Sequence, residues 1–206
     1  MTWARRFSVL RRRMRANATR GSAAIEFAFI APVFFTLLFG IIETGIMYFG
    51  SFTLQNATLQ AARVVRTGSA QGVTYSAAAR CTGGSGGSGA GGAYASGTEW
   101  FKDQICCGIS AALSCTNLHV NVQNYTGGFG GTGFTNTKDG SGNYLPVTDS
   151  YNPGNACDVV LVRATYTWTV VTPIISWFLV NMAGNAHLLS STYAFRNEPY
   201  TPGVTC

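Results

Sequence analysis

Residues 27 to 42 are sixteen consecutive positions without a charge, and the first 21 residues of the chain hold seven arginines (Arg5, Arg6, Arg11, Arg12, Arg13, Arg15 and Arg20) and no acid. Few folds are open to such a chain. Hydrophobicity continues past Glu43 through Ile46, Met47, Tyr48 and Phe49 to Phe52, about 26 positions from Phe27. A helix needs roughly 20 residues, at about 1.5 Å each, to cross the hydrocarbon of a bilayer. A secretory signal has a core of about 7–15 apolar residues and then a small-residue cleavage site, so this run is expected to span and stay. Pro32 removes one backbone donor and is expected to bend the helix, which membrane helices tolerate when neighbouring groups restore the bonding. Short flanks rich in Lys and Arg resist translocation. The arginines therefore belong on the cytoplasmic side, and everything after the span lies outside.

The formal net charge of +6 is a topology signal rather than the charge of one globule. Half of the fourteen basic residues lie in the first 21 positions, which leaves seven basic against eight acidic residues, a net of −1, for the rest. A nucleic-acid binder would spread its lysines and arginines over a folded face with aromatic interleaving, so no nucleic-acid partner is expected.

Beyond the span the helical pattern continues. Leu54, Ala57, Ala61 and Val64 recur at spacings of three and four, while Gln55, Asn56, Gln60 and Arg63 fall elsewhere. Gly68 is the expected stop, with Arg63 and Arg66 near the negative end of the helix dipole. The chain then divides into a basic leader (1 to 21), a long helix (22 to 68) that spans the membrane in its first half, and an outer domain (69 to 206). The small-residue stripe of the helix has two partners open to it, the chain's own domain or a neighbouring copy.

Two carboxylates interrupt the apolar run. An acid at the centre of a membrane helix costs about 2.5–3.5 kcal/mol on insertion scales. Glu26 lies near the cytoplasmic boundary, where it can snorkel. Alternatively, a peptidase cuts after Gly21 and leaves Ser22 as a new positive N-terminus near Glu26 of the same or an adjacent molecule, so that two costly charges neutralise one another. Glu43 is seventeen positions further, roughly 25 Å along the helix. Solvation at the headgroup level is its favoured explanation, with pairing to a partner helix as the second.

These residues carry a resemblance. Gly21 followed by Ser22, Ala23, Ala24, Ile25, Glu26 and Phe27, with a basic leader before and an apolar helix after, resembles the processing site of type IV prepilins. There, cleavage follows the glycine and a glutamate is fifth in the mature chain. Ala31-Pro32-Val33, the stretch Phe39-Gly40-Ile41-Ile42-Glu43, Thr53-Leu54-Gln55-Asn56-Ala57 and Ala61-Ala62-Arg63 are similar more narrowly to the TadE-like family, as is the tail Phe195-Arg196-Asn197-Glu198-Pro199, which closes a late strand. Members of that family are minor pilins or pseudopilins of the tight-adherence (Flp) pilus system. The resemblance implies that Gly21 and Ser22 flank the cut of a prepilin peptidase, and that Glu26 serves cleavage recognition or subunit docking. It further implies other pilin subunits, the pilus assembly machinery and the membrane as partners, with the protein in a bacterial inner membrane. The middle of the chain is longer and richer in glycine and cysteine than the family pattern.

That middle begins with residues 83 to 97, which hold eight glycines among serines and alanines and read as a flexible linker or surface loop. A second glycine-rich patch runs over residues 127 to 142. Neither has the strand before it or the Lys-Ser/Thr after it that a phosphate cradle needs. The six cysteines, Cys81, Cys106, Cys107, Cys115, Cys157 and Cys206, all follow the span. An even number outside the membrane points to disulfides, with Cys106 and Cys107 expected to take different partners and the connectivity otherwise open. The competing use is zinc, held by Cys106, Cys107 and Cys115 with His119; the spacing fits no C-x-x-C pair, so no metal is expected.

Alternation gives a short strand at Leu118, Val120 and Val122. It gives a longer one from Val159 to Val171, with Val160, Val162, Ala164, Tyr166, Trp168 and Val170 on one face and Arg163, Thr165, Thr167 and Thr169 on the other. Residues 174 to 182 read as a helix or a loop that touches the membrane surface. Residues 187 to 195 read as a last strand pairing antiparallel with the long one. The fold class is therefore α+β: a protruding N-terminal membrane helix, then a small extracytoplasmic domain with an antiparallel sheet and glycine-rich loops.

Only two histidines exist, His119 and His187, both in strand patterns, and the outer carboxylates form no close pair of the kind that acid-base hydrolysis needs. The chain is expected to be no enzyme and to need no cofactor. Three functional classes follow: a minor pilin, a bitopic scaffold of a secretion apparatus outside the filament, and a signal-anchored enzyme, the last disfavoured by the sparse titratable groups.

Overall fold

The computed structural model describes residues 3–71, 73, 94–125, 137–172 and 175–206, with residues 3–20 as backbone alone. The side chains of the leader arginines, Cys81, residues 83 to 93 of the first glycine-rich stretch and residues 127 to 136 of the second lie outside the described residues. The chain divides into two compact units, Met1–Glu43 and Thr44–Cys206.

The first unit is helical from its third residue, as part of helix α1 (Trp3–Arg66). Its apolar side chains face outward: Phe29 is 78% and Ile41 72% exposed. Such a surface stays out of water only in lipid or beneath other protein, and the segment Gly21–Arg66 is long and apolar enough to cross a membrane. Pro32 sits inside the helix, and the Thr36 hydroxyl donates to the Pro32 carbonyl at 2.7 Å.

In the second unit, residues 44 to 66 of α1 form one wall of the core. Leu54, Ala57, Ala61 and Val65 are buried, spaced by three, four and four, so they fall on one face. The stripe read from the sequence is thus covered by the chain's own domain, and it ends on Val65 rather than the half-buried Val64. Small residues there let another helix come close. At Gly108 a Cβ would lie 2.6 Å from the Ala57 Cβ, so only glycine fits opposite Ala57.

Gly108 belongs to α2 (Gly97–Ile109), an element the alternation and period arguments passed over. Its start is nevertheless written in the sequence. The Ser96 hydroxyl accepts from the Glu99 N–H at 3.2 Å, and the Glu99 carboxylate accepts from the Ala95 N–H at 2.8 Å, a variant of the capping box in which the carboxylate takes the N–H just before the N-cap. Trp100, Phe101, Ile105, Cys106 and Ile109 turn inward.

The sheet has the order β2-β1-β3-β4, from β1 (Leu118–Tyr125), β2 (Ser150–Tyr151), β3 (Val159–Thr169) and β4 (Ala186–Arg196). β1 and β3 pair antiparallel from Leu118↔Tyr166 to Tyr125↔Val159, and β3 and β4 from Val159↔Arg196 to Thr169↔Ala186. The two-residue β2 adds to β1 in parallel, so the sheet is mixed at one edge. Leu118, Val120, Val122, Val160, Val162 and Ala164 are fully buried, as their alternation requires. Thr165, on the face of β3 opposite that row, is fully buried too. Val147 covers that side, and its N–H donates to the Thr165 hydroxyl at 3.4 Å.

The long connection between β3 and β4 contains a four-residue helix, α3 (Ser176–Leu179). Val180 N–H donates to Ser176 O at 2.8 Å and Val170 N–H to Asn185 O at 3.0 Å. The Asn185 side chain donates to Val170 O at 2.7 Å, and the Asn181 side chain accepts from Leu188 N–H at 2.7 Å. The connection is therefore pinned at both ends.

Candidate functional site

Gly21, Ser22 and Glu26 share one stretch of α1. The Ser22 hydroxyl donates to the Glu26 carboxylate at 3.2 Å, the reach expected of residues four apart on one helix face. All three are exposed, and a Cβ added at Gly21 would meet nothing within 4 Å. This glycine is therefore not required by packing. Both Gly21 and Ser22 are helical, and a helix-interior glycine lowers helix stability there by roughly 0.5–1 kcal/mol relative to alanine.

Glu43 does not join them. At 3.6 residues per turn, seventeen positions place its side chain about 100° around the helix from Glu26. Its own exposure is 8%, which sets it apart from the open Ile41 and Ile42 beside it.

The domain's other distinctive cluster gathers around the C-terminal end of α1, built largely by the tail Phe195-Arg196-Asn197-Glu198-Pro199. Glu198 N–H donates to Arg66 O at 2.9 Å, while the Arg66 guanidinium donates to the Glu198 carboxylate through Nε at 3.1 Å and Nη2 at 3.0 Å. Both side chains are about half exposed, so this ion pair contributes about 1 kcal/mol or less. Its geometric effect is to fix where the tail meets the helix. Gly68 ends α1 at φ +79°, and a Cβ there would lie 2.3 Å from the Tyr200 ring. Glycine is required twice, by backbone handedness and by the aromatic ring against it.

Asn197 is buried and donates to Pro153 O at 2.8 Å and Asn155 O at 2.9 Å. Its N–H donates to Asp158 O at 2.8 Å. Burial first, and then the Asp158 carboxylate, hold the Tyr200 hydroxyl above its ordinary pKa. Elsewhere, Asp139 is held below the usual carboxylate range, chiefly by the Asn143 backbone N–H and then its side-chain amide; these bonds close a tight turn. Residue periodicity could not have found the Arg66–Glu198 contact, since the partners are 132 positions apart.

Two disulfides are described. Cys106–Cys115 ties α2 to the turn before β1, and Cys157–Cys206 ties the start of β3 to the C-terminus across 49 positions. Cys107 is disulfide-bonded as well, so the adjacent cysteines take different partners; Cys81 lies outside the described residues. Bonding of Cys106, Cys107 and Cys115 removes the thiolates that the zinc alternative needs. His119 instead faces Asp149 at 3.3 Å, whose carboxylate also accepts from Val120 N–H at 2.8 Å and pairs with Lys102 at 3.4 Å. His187 Nδ1 contacts the Leu179 carbonyl. Both histidines thus serve to join elements.

In comparison with known proteins, the family model described as TadE-like protein matches residues 21–63. Comparisons with curated proteins and with solved structures give no match.

Proposed function

From the TadE-like segment at residues 21–63, which connects the chain to the tight-adherence (Tad) pilus system, we infer that this protein is a minor pilin or pseudopilin. It is made as a precursor, inserted by its apolar helix with the arginine leader in the cytoplasm, cut after Gly21 by a prepilin peptidase, and packed beside other pilin subunits through that helix. The observation that carries this reading is where the family match begins: at Gly21, immediately after the last of the seven leader arginines and six residues before the uncharged run that starts at Phe27.

The physical logic is that of two compensating charges. Before cleavage, Glu26 stands one turn from Ser22, whose hydroxyl donates to its carboxylate. After cleavage the Ser22 amine is an ammonium, and an ammonium and a carboxylate near lipid cost less as a pair than apart. The pair forms within one chain or between neighbours, and in the second case cleavage becomes the step that makes a subunit able to assemble. The outer domain, closed by disulfides, is then delivered to the periplasmic or extracellular side.

Mass spectrometry of the full chain purified from a strain that contains the peptidase tests this. The expected species begins at Ser22. An intact Met1 in that strain overturns the pilin reading and leaves a bitopic scaffold protein.

A further inference from the structure

We propose that the β3–β4 connection is a foot by which the outer domain rests on the phospholipid surface, with Val171, Trp177 and Phe178 entering the headgroup layer. This rests on the reading of α1 as a membrane span.

The placement follows from the second unit alone. β3 begins at the Arg66 end of the helix: Val159 pairs with Arg196, two residues before Glu198, which is bonded to Arg66. It finishes at the other end, where a Cβ on Gly50 would lie 3.7 Å from the Trp168 ring and 3.1 Å from Leu113. Val171 is three residues past Trp168, about 10 Å further along an extended strand. The connection therefore lies toward Thr44, the end at which the chain enters this unit from the apolar run.

What surrounds that end is lipid-compatible. Gly50 packs on the domain while Ile46, Tyr48, Phe49 and Phe52, on the same stretch of helix, are exposed. If lipid covers Phe49 and Phe52, then Trp168 and Leu113 beside Gly50 are already at the membrane's edge, and a loop 10 Å further on must meet headgroups. The loop is made for that meeting. Val171 is 80%, Trp177 73% and Phe178 71% exposed, although the backbone beneath them is pinned by the hydrogen bonds of Asn181 and Asn185, so the exposure belongs to a defined surface. Aromatic rings with a polar backbone prefer the interfacial level. Residues 44 to 62, 104 to 125 and 164 to 195 also contain no Asp, Glu, Lys or Arg, so the stretches that reach this end bring no formal side-chain charge to be desolvated, His119 and His187 being the titratable exceptions besides tyrosines and cysteines. Lys138 and Asp139 reach the region through a hairpin whose Tyr144 N–H donates to Asn181 O at 3.0 Å, and supply a polar margin.

The test is tryptophan fluorescence of the full chain in vesicles of phosphatidylcholine and phosphatidylglycerol, with and without lipids brominated near the headgroup end of the acyl chain. Subtracting the spectrum of Trp177→Phe, which keeps the patch apolar, isolates Trp177. Flotation establishes insertion separately. The expected result is a blue-shifted Trp177 component that loses most of its intensity to brominated lipid and little to aqueous acrylamide. A chain that floats but whose Trp177 is quenched by acrylamide and not by bromine overturns the foot and leaves the span standing. Protection from both quenchers overturns it in favour of a protein cover, a second copy or another subunit. A chain that does not float overturns foot and span together.

Discussion

Glu26→Ala leaves membrane insertion intact or improves it, and lowers incorporation into filaments by about two orders of magnitude. Insertion improves because an acid near lipid is removed; the gain is below the roughly 2.5–3.5 kcal/mol assigned to a carboxylate at the bilayer centre, since Glu26 lies near the boundary. Incorporation falls because the substitution leaves the Ser22 ammonium without its counter-charge at a helix-helix contact. Removing one member of a buried ion pair costs about 3–5 kcal/mol, and each 1.4 kcal/mol is tenfold in an equilibrium. Glu26→Gln keeps the size and hydrogen-bonding capacity and loses the charge, so it separates pairing from packing. The measurement is the ratio of this protein in sheared filaments to that in membranes, with the N-terminus verified in each variant so that a processing defect is not read as an assembly defect. Unchanged incorporation of a processed Glu26→Ala chain removes the pairing idea.

Replacing Cys157 and Cys206 together by alanine lowers the stability of the outer domain by roughly 4 kcal/mol, on the chain-entropy account of a cross-link that closes 49 positions. The same account gives roughly 2.5 kcal/mol for Cys106–Cys115, nine positions apart. The first bond matters more for a second reason. It holds the tail that places Asn197 beneath residues 153 to 155, Glu198 on the end of α1 and Tyr200 against Gly68, so its loss frees the whole clasp. Against a total stability of about 5–15 kcal/mol for a domain, the double variant is close to unfolding at growth temperature. Urea unfolding of the full chain in detergent, followed by near-ultraviolet circular dichroism, checks it. A loss below about 1 kcal/mol shows that the clasp holds without the cross-link.

Much of this architecture is legible in the residues because it depends on local patterns. The apolar run, the stripe through Leu54, Ala57 and Ala61, the stop at Gly68 and the alternation of β1 and β3 each express a period that one element imposes by itself. The opposite face of β3 was not legible in the same way. Thr165 reads as an outward polar residue and is buried, because a loop from eighteen residues earlier in the chain covers it. α2 escaped a period argument although its capping box at Ser96 and Glu99 was available, since a short helix after a glycine-rich stretch shows only one turn and a half of apolar repetition. The clasp of Arg66, Glu198, Asn197 and Tyr200 joins positions more than a hundred apart, which no local period encodes. At the candidate site, the closeness of Ser22 and Glu26 follows from a spacing of four along one helix, which the residues alone display.

The proposition on which processing, disulfides and the lipid-resting foot all depend is the sidedness of the chain, and protease accessibility in intact spheroplasts tests it most directly. With the leader in the cytoplasm and Thr44–Cys206 outside, external protease digests a C-terminal epitope once reductant opens the domain, while in a strain without the peptidase, where the leader stays on the chain, a tag at the N-terminus is cut only after lysis. A C-terminal epitope protected until lysis, with the protein shown to be in the membrane fraction, contradicts the account.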